Sequence, residues 1–249
     1  MASDLPQDGD VVRFDYDLYV EGSKQLAETS DAEKAQAAGI FNPQRTYRPL
    51  TVTLGKGSLI PGLEAHLKTS GAIGDAQKVD IAAEDAYGKR DPSLLKDVPM
   101  GHFRKQKVEP ELGMRLNLEG KPGTVVRVSG GRVRVDMNHD LAGKALRYEY
   151  TVTEILRDDD AKVGAMLGSF FPMGIDWDMD PESLNIQLPQ QVSFDQNWAM
   201  GKFRVLNELR GVVGDRSIRL VETFPSPSVM EAAQQAAAAA QAAAGGEEE

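Results

Sequence analysis

The chain contains no cysteine and only three histidines among its 249 residues. The first absence excludes a disulfide framework, a thiol nucleophile and any zinc site built on cysteine. The second, with His66, His102 and His139 dispersed, leaves little material for a metal centre, so neither metal nor cofactor is expected. Long apolar runs are missing too. None approaches the roughly 18 residues of a membrane span, and the opening Met-Ala-Ser-Asp-Leu-Pro lacks the basic-then-apolar order of a signal peptide. The expectation is a cytoplasmic protein with no membrane contact. Positive charge is in deficit, with 28 Lys plus Arg against 38 Asp plus Glu and a formal net charge of −10. That balance disfavours nucleic-acid binding driven by charge over the whole chain. Gly55-Lys56-Gly57-Ser58 lacks the spacing of a phosphate loop or a dinucleotide fingerprint. No spacing singles out an acid and a base among the carboxylates, and Glu84-Asp85 and Asp158 to Asp160 read as solvated loop charge.

What is present is apolar material for a core, 41% of the chain, enough for one large domain or two to three small ones at roughly 150 residues each. Val11 to Val20, Leu50 to Leu54 and Lys78 to Ala82 alternate or run β-branched and read as strands, and Gly62 to Thr69 reads as a short amphipathic helix behind Pro61. Residues 23 to 47 look like an elaborated loop with a helix at Asp31 to Ala38. From 89 to 138 the character changes. Short runs at Arg115 to Leu118, Thr124 to Val128 and Arg132 to Met137, separated by glycines, suggest a small antiparallel β unit. Leu146 to Leu156 is the most strand-like run, so the chain leaves the first unit and returns to it. Past Asp158, spacing gives helix, strand, helix and strand: Val163 to Phe170, Leu184 to Leu188, a helix capped by Asp195 and carrying Trp198 to Val212, and Ser217 to Phe224. The tail from 227 to 249 is low in complexity.

Tyr16, Leu50, Leu59, Ile60, Leu63, Tyr87 and Tyr148 border the turns of the first unit. Taken alone they read as core positions of a twisted sheet and its helix, with a binding site as the alternative.

Three motifs in order bear on that choice: Gly57-Ser58-Leu59-Ile60-Pro61-Gly62-Leu63-Glu64, then Asp85-Ala86-Tyr87-Gly88-Lys89, then Asn138-His139-Asp140-Leu141-Ala142-Gly143-Lys144-Ala145-Leu146. Together they resemble the signatures of FKBP-type peptidyl-prolyl cis-trans isomerases of the SlyD-like group, from about Val11 to Leu156. In that group an insert-in-flap chaperone domain interrupts the isomerase domain, which accounts for the gap between Tyr87 and Asn138. The region after 158 looks like the C-terminal domain of the long archaeal members. The fold implied is α+β: a bent antiparallel sheet around a short helix, a small β-rich insert and a C-terminal α/β domain. The boundaries implied are 1–88 plus 139–157 for the isomerase domain, 89–138 for the insert, 159–226 for the C-terminal domain and 227–249 for the tail.

The resemblance implies that Leu59 and Ile60 line a prolyl pocket, that Leu63 forms its floor, and that Tyr16 and Tyr87 stand at its rim. Tyr148 and Leu50 replace aromatic residues usual at their positions. Ala27-Glu28 stands where the family usually shows Phe-Asp, so the wall is thinner there and the acidic role passes to Glu28. The expected activity is isomerisation of X-Pro bonds in unfolded or partly folded proline-containing polypeptides. The alternative is a holding chaperone with a vestigial isomerase site. Val98, Met100, Phe103, Met114 and Leu116 of the insert form either its small core or an exposed patch for clients. Self-association through the C-terminal domain, giving a homodimer, would bury surface that so short a domain leaves open. Divided by domain, the charge changes meaning: residues 89 to 138 hold 11 Lys plus Arg and 6 Asp plus Glu, a net of +5, and the remainder carries −15. The asymmetry predicts steering of acidic unfolded clients toward the insert, with ribosomal RNA contact as its other use.

Overall fold

A computed structural model describes residues 5–228 apart from 24, 119, 194, 196, 197, 225 and 227. The tail expected from 227 onward lies outside the described residues except at 228. The chain divides into two compact units, 1–156 and 157–249, and its class is the expected α+β.

In the first unit, β1 (Val11–Val20), β2 (Leu26–Thr29), β3 (Leu50–Thr53), β4 (Ala76–Ile81) and β9 (Leu146–Leu156) build one antiparallel sheet. Its order is β2-β1-β9-β4, with β3 on the same edge of β1 as β2. Period two sends Val12, Phe14, Tyr16 and Leu18 of β1 and Leu146, Tyr148, Tyr150 and Val152 of β9 inward, where all eight are buried. Each large apolar side chain so enclosed contributes about 1.5–3 kcal/mol. The short helix α1 (Ala32–Ala37) starts at Asp31, whose carboxylate accepts from the Glu33 and Lys34 amides. The core helix α2 (Pro61–Ser70) has proline at its first position, where no amide hydrogen is needed, and buries Leu63 and Leu67. Gly62 lets it approach β4: a Cβ there would lie 2.5 Å from Ile81 Cγ2.

Between β4 and β9 a second sheet forms from β5 (Leu95–Pro99), β6 (Arg115–Leu118), β7 (Lys121–Ser129) and β8 (Arg132–Asp136), in the order β5-β8-β7-β6, with α3 (Met100–Lys105) beside it. Gly130 and Gly131, with φ of 59° and 73°, make the two-residue turn that joins β7 to β8. The small core is Phe103, Leu118, Val125, Val133 and Val135. The two chain crossings that lead in and out are tied together. Gly143 N donates to Gly88 O at 2.8 Å, Asp91 N to Asn138 Oδ1 at 2.8 Å and Asn138 Nδ2 to Asp91 O at 3.0 Å, and Arg90 pairs with Asp136.

The second unit holds α4 (Asp159–Phe170), β10 (Asp176–Met179), β11 (Ser183–Leu188), α5 (Gln190–Ser193), α6 (Trp198–Val213) and β12 (Ser217–Glu222). Its sheet runs β10-β11-β12, antiparallel then parallel. Asp158 caps α4 by accepting from the Ala161 amide at 3.1 Å, so part of the acidic run read as loop charge begins a helix. Val163, Met166, Leu167, Leu184, Ile186, Val205 and Leu209 are buried. Five elements, β2, β5, β10, α3 and α5, have no counterpart in the sequence pattern. The strands are four or five residues long, α3 begins directly after Pro99 and α5 is four residues, so periodicity has too few residues to register.

Candidate functional site

The register of β1 against β9 sets Leu18 opposite Tyr148 and Tyr16 opposite Tyr150. The Tyr16 and Tyr148 rings lie 6.0 Å apart, inclined by 37°. Tyr87 follows a short helical turn at Ala83–Asp85, and its hydroxyl lies close enough to that of Tyr148 for each to influence the other. Leu59 and Ile60 lead into α2, Leu50 opens β3, and Leu141 arrives from the returning crossing. All seven apolar and aromatic residues picked from the sequence thus belong to or pack on one cluster. Tyr16, Leu63 and Tyr148 are buried, Leu63 to 1% exposure, whereas Leu50, Leu59, Ile60, Tyr87 and Leu141 are half-buried. The half-buried set forms an apolar surface open to solvent, and Leu63 supports it from behind.

The rim is polar at one end. The Tyr16 hydroxyl donates to Glu28 Oε1 at 2.6 Å, and Arg45 Nη2 lies 2.9 Å from the Tyr16 oxygen and 2.5 Å from Glu28 Oε1. Burial, and then the hydrogen bond to Glu28 and its negative charge, pushes the Tyr16 hydroxyl well above the ordinary tyrosine value. It therefore stays a neutral donor. Burial likewise raises Tyr148 and Tyr87. Arg45 is aimed by its own loop: its guanidinium stands 5.6 Å from the Tyr47 ring centre, and Tyr47 stacks on Phe41 at 5.3 Å.

Beside this wall runs a cleft of about 610 Å³ whose lining includes Ala27, Glu28, Arg115, Met137, His139 and Leu141. It joins the first sheet to the second, and the exposed Ala27 leaves it open at the position where the sequence reading expected a thinner wall. A hollow of about 720 Å³ elsewhere on β1 is lined in part by Asp17, Lys34, Lys78 and Glu149. These charges are already paired with one another, and it lacks the apolar wall. Arg45, His139 and Leu141 had not been assigned roles. The latter two stand in the third motif, but Arg45 sits in a loop with no periodic signal.

The insert residues fare differently. Val98, Met100, Met114 and Leu116 are half-buried around the small core. Of the two alternatives, Phe103 takes the core: at 3% exposure it is that core's largest side chain and cannot meet a client while the sheet is closed. Among the described residues no group of three or more His, Asp or Glu could hold a metal ion, and no helix is long and apolar enough to cross a membrane.

The first unit is thus a curled antiparallel sheet on a short helix, presenting an apolar wall with a tyrosine rim. The chain belongs to the FKBP-type peptidyl-prolyl cis-trans isomerases. The model of that family matches residues 3–103, a model described as FKBP26, IF domain matches 96–141, and one described as FKBP26_C-terminal matches 159–225. The short-type peptidyl-prolyl cis-trans isomerase of Methanocaldococcus jannaschii is 34% identical over 151 residues, 61% of this chain and 94% of that one. The FKBP-type peptidyl-prolyl cis-trans isomerase SlyD of Escherichia coli is 39% identical over 111 residues, covering 43% of this chain and 56% of its own. A probable FKBP-type 16 kDa isomerase of Pseudomonas fluorescens is 31% identical over 110 residues, 43% and 73% of the two chains.

Proposed function

We propose that this isomerase acts on unfolded or partly folded polypeptides, rotating their X-Pro bonds at the Leu50, Leu59, Ile60, Tyr87 and Tyr148 wall and holding them on the insert. The domains we assign are 1–88 plus 139–157 for turnover, 89–138 for holding and 159–226 for association. The observation that carries the reading is the convergence of residues from five separate stretches of sequence on one apolar cluster, with Leu50, Leu59, Ile60 and Tyr87 only half-buried at its edge. Rotation about an X-Pro amide faces a barrier of about 20 kcal/mol because of partial double-bond character. The planar amide is more dipolar than the twisted one, so an apolar wall that removes water disfavours the ground state more than the transition state. No covalent intermediate is needed. The Tyr87 hydroxyl, next to that of Tyr148, would donate to a substrate carbonyl. Leu59, Ile60 and Leu50 would grip the ring, with Tyr16 and Glu28 at the rim.

Val98, Met100, Met114 and Leu116 supply the apolar edge for clients, raising local substrate concentration beside the wall. Turnover of a prolyl tetrapeptide tests the first activity. Its absence in a protein that still prevents aggregation would favour a vestigial site, the reading to which the exposed Ala27 lends support. Removal of residues 91 to 137 should depress refolding of a proline-limited protein far more than tetrapeptide turnover; equal losses would argue against the division. In the C-terminal unit, Met200 and Phe203 of α6 are 85% and 71% exposed, three residues apart and so on one helix face. Pairing of two copies over this face would be seen in sedimentation as a dimer that Phe203→Glu converts to monomer.

A further inference from the structure

One side of the insert is an arginine face. Arg127 of β7 pairs with Arg134 of β8, and Ser129 with Arg132, so Arg127, Arg132 and Arg134 share a side of the sheet. Val133 and Val135, at 0% exposure, point the other way into the small core. Arg134 is engaged by Asp97 of β5 in a two-pronged contact, Nε to Oδ1 at 2.9 Å and Nη2 to Oδ2 at 2.7 Å. The Asp97 carboxyl is held below the usual range by Arg134 first, and Arg132 and Arg127 lie close enough to add to the effect. One carboxylate therefore serves three guanidinium groups. Arg127 and Arg132 are exposed and have no ion-pair partner among the described residues. Like charges set directly opposite on neighbouring strands cost up to about 1 kcal/mol, which opposes what Arg127 gains from the more distant Asp97.

We infer that this face binds acidic, extended segments of unfolded polypeptides, Arg127 and Arg132 each taking a Glu or Asp side chain. The inference rests on the holding role proposed for the insert and names the chemistry of what is held. A planar guanidinium matches a carboxylate through two parallel hydrogen bonds. Single-stranded RNA would offer phosphates to the same groups, but its bases need exposed aromatic rings to stack on. The one Phe, Tyr or Trp in residues 89–138 is Phe103, which is 3% exposed. A polypeptide is the better fit.

The test is fluorescence anisotropy of the full chain with three dye-labelled probes: an unstructured peptide of Glu, Leu and Ser, its counterpart with Gln for every Glu, and an oligouridine of matching charge. The Glu peptide should bind about tenfold more tightly than the Gln peptide at low salt, with the advantage shrinking as ionic strength rises. Arg127→Gln combined with Arg132→Gln should remove that advantage without altering the urea unfolding transition, and Lys at both positions should keep most of it. Equal binding of the two peptides, or an advantage that survives the double Gln variant, overturns the inference and leaves the holding role intact. Failure of both peptides to bind overturns the two together. Tighter binding of oligouridine than of the Glu peptide overturns the assignment of a polypeptide client.

Discussion

Tyr87 and His139 lie ring on ring, centroids 3.9 Å apart and planes 8° from parallel, although one precedes the insert and the other follows it. His139 is fixed by its own turn, its Nδ1 accepting from the Leu141 amide at 3.2 Å. Its neighbours are tethered to the rest of the crossing. Asn138 is bonded to Asp91 and Asp136, and Asp140 pairs with Arg115 of β6. The segment that returns from the insert therefore orients the tyrosine proposed to meet the substrate carbonyl.

Loss of that stack should be visible in turnover. A ring pair contributes about 0.5–1.5 kcal/mol beyond the area it covers, so His139→Ala should lower kcat/KM for a prolyl tetrapeptide by about threefold to tenfold. His139→Phe should restore most of it. Because His139 is exposed, the urea midpoint should hardly move. A drop in stability matching the drop in turnover would mean that His139 acts through folding instead.

Tyr16, Glu28 and Arg45 should behave as a unit. Each contacts the other two, so single changes ought not to add. Tyr16→Phe and Arg45→Ala combined should cost less in kcat/KM than the sum of the separate changes, with a coupling of about 0.5–2 kcal/mol. Simple additivity in a double-mutant cycle would show that Arg45 does not position the rim.

Replacing apolar wall residues separates grip from support. Ile60 is half-buried and Leu63 is 1% exposed. Ile60→Ala should lower kcat/KM about tenfold with a modest stability cost, whereas Leu63→Asp places an unpaired carboxylate in the core and should unfold the domain. Circular dichroism alongside the tetrapeptide assay distinguishes these outcomes. A folded, active Leu63→Asp protein would remove this cluster from the site.

The difference between these residues also marks what could be read from the sequence. Tyr16, Tyr148 and Leu50 lie on strands whose alternation assigns each side chain to a face, and Leu59 to Leu63 lie at a proline-marked helix start, so local pattern places them, while only the resemblance carried by the three motifs marks them as a site. Arg45 reaches the rim because Phe41 and Tyr47 stack beneath its loop, a relation among residues that share no period. Glu28 is placed by β2, a strand of Leu-Ala-Glu-Thr with little intrinsic preference for the form; it exists because β1 offers it an edge. The burial of Phe103 could not be separated from exposure by sequence, since α3 is too short to show an apolar face.

Alkaline pH should unfold the first unit early. Burial raises Tyr16 and Tyr148 and pushes Tyr150 up to about 12. For a group whose pKa is higher folded than unfolded, the unfolded chain releases the proton first, so stability is intact below the unfolded value of 10.0 and falls as pH rises through the folded one. Urea midpoints should be level from neutral pH to about pH 9 and decline steeply above about pH 10. Tyr150→Phe should lose the 2.7 Å contact with His66 Nδ1 yet show a shallower alkaline decline. An unchanged slope would mean that Tyr150 ionises as freely folded as unfolded.

The join between insert and isomerase domain depends on a buried charge. Asp136 ends β8 at 4% exposure, its Oδ1 accepting from Asn138 N at 2.9 Å and from Asn138 Nδ2 at 2.7 Å. Its counter-charge is Arg90, whose side chain is 54% exposed. Removing the partner of a buried charge costs about 3–5 kcal/mol, and because Arg90 is half in water the cost of Arg90→Ala should fall to about 2 kcal/mol. Asp136→Asn removes the charge itself and keeps an acceptor for the Asn138 amide, so Arg90→Ala with Asp136→Asn should be more stable than Arg90→Ala alone. That reversal, read from urea midpoints, is the signature of an unpaired carboxylate. If the double variant is the least stable of the three, the ion pair acts through packing at the crossing. In that case tetrapeptide turnover should fall with stability, since His139 and hence Tyr87 are aimed by the same segment.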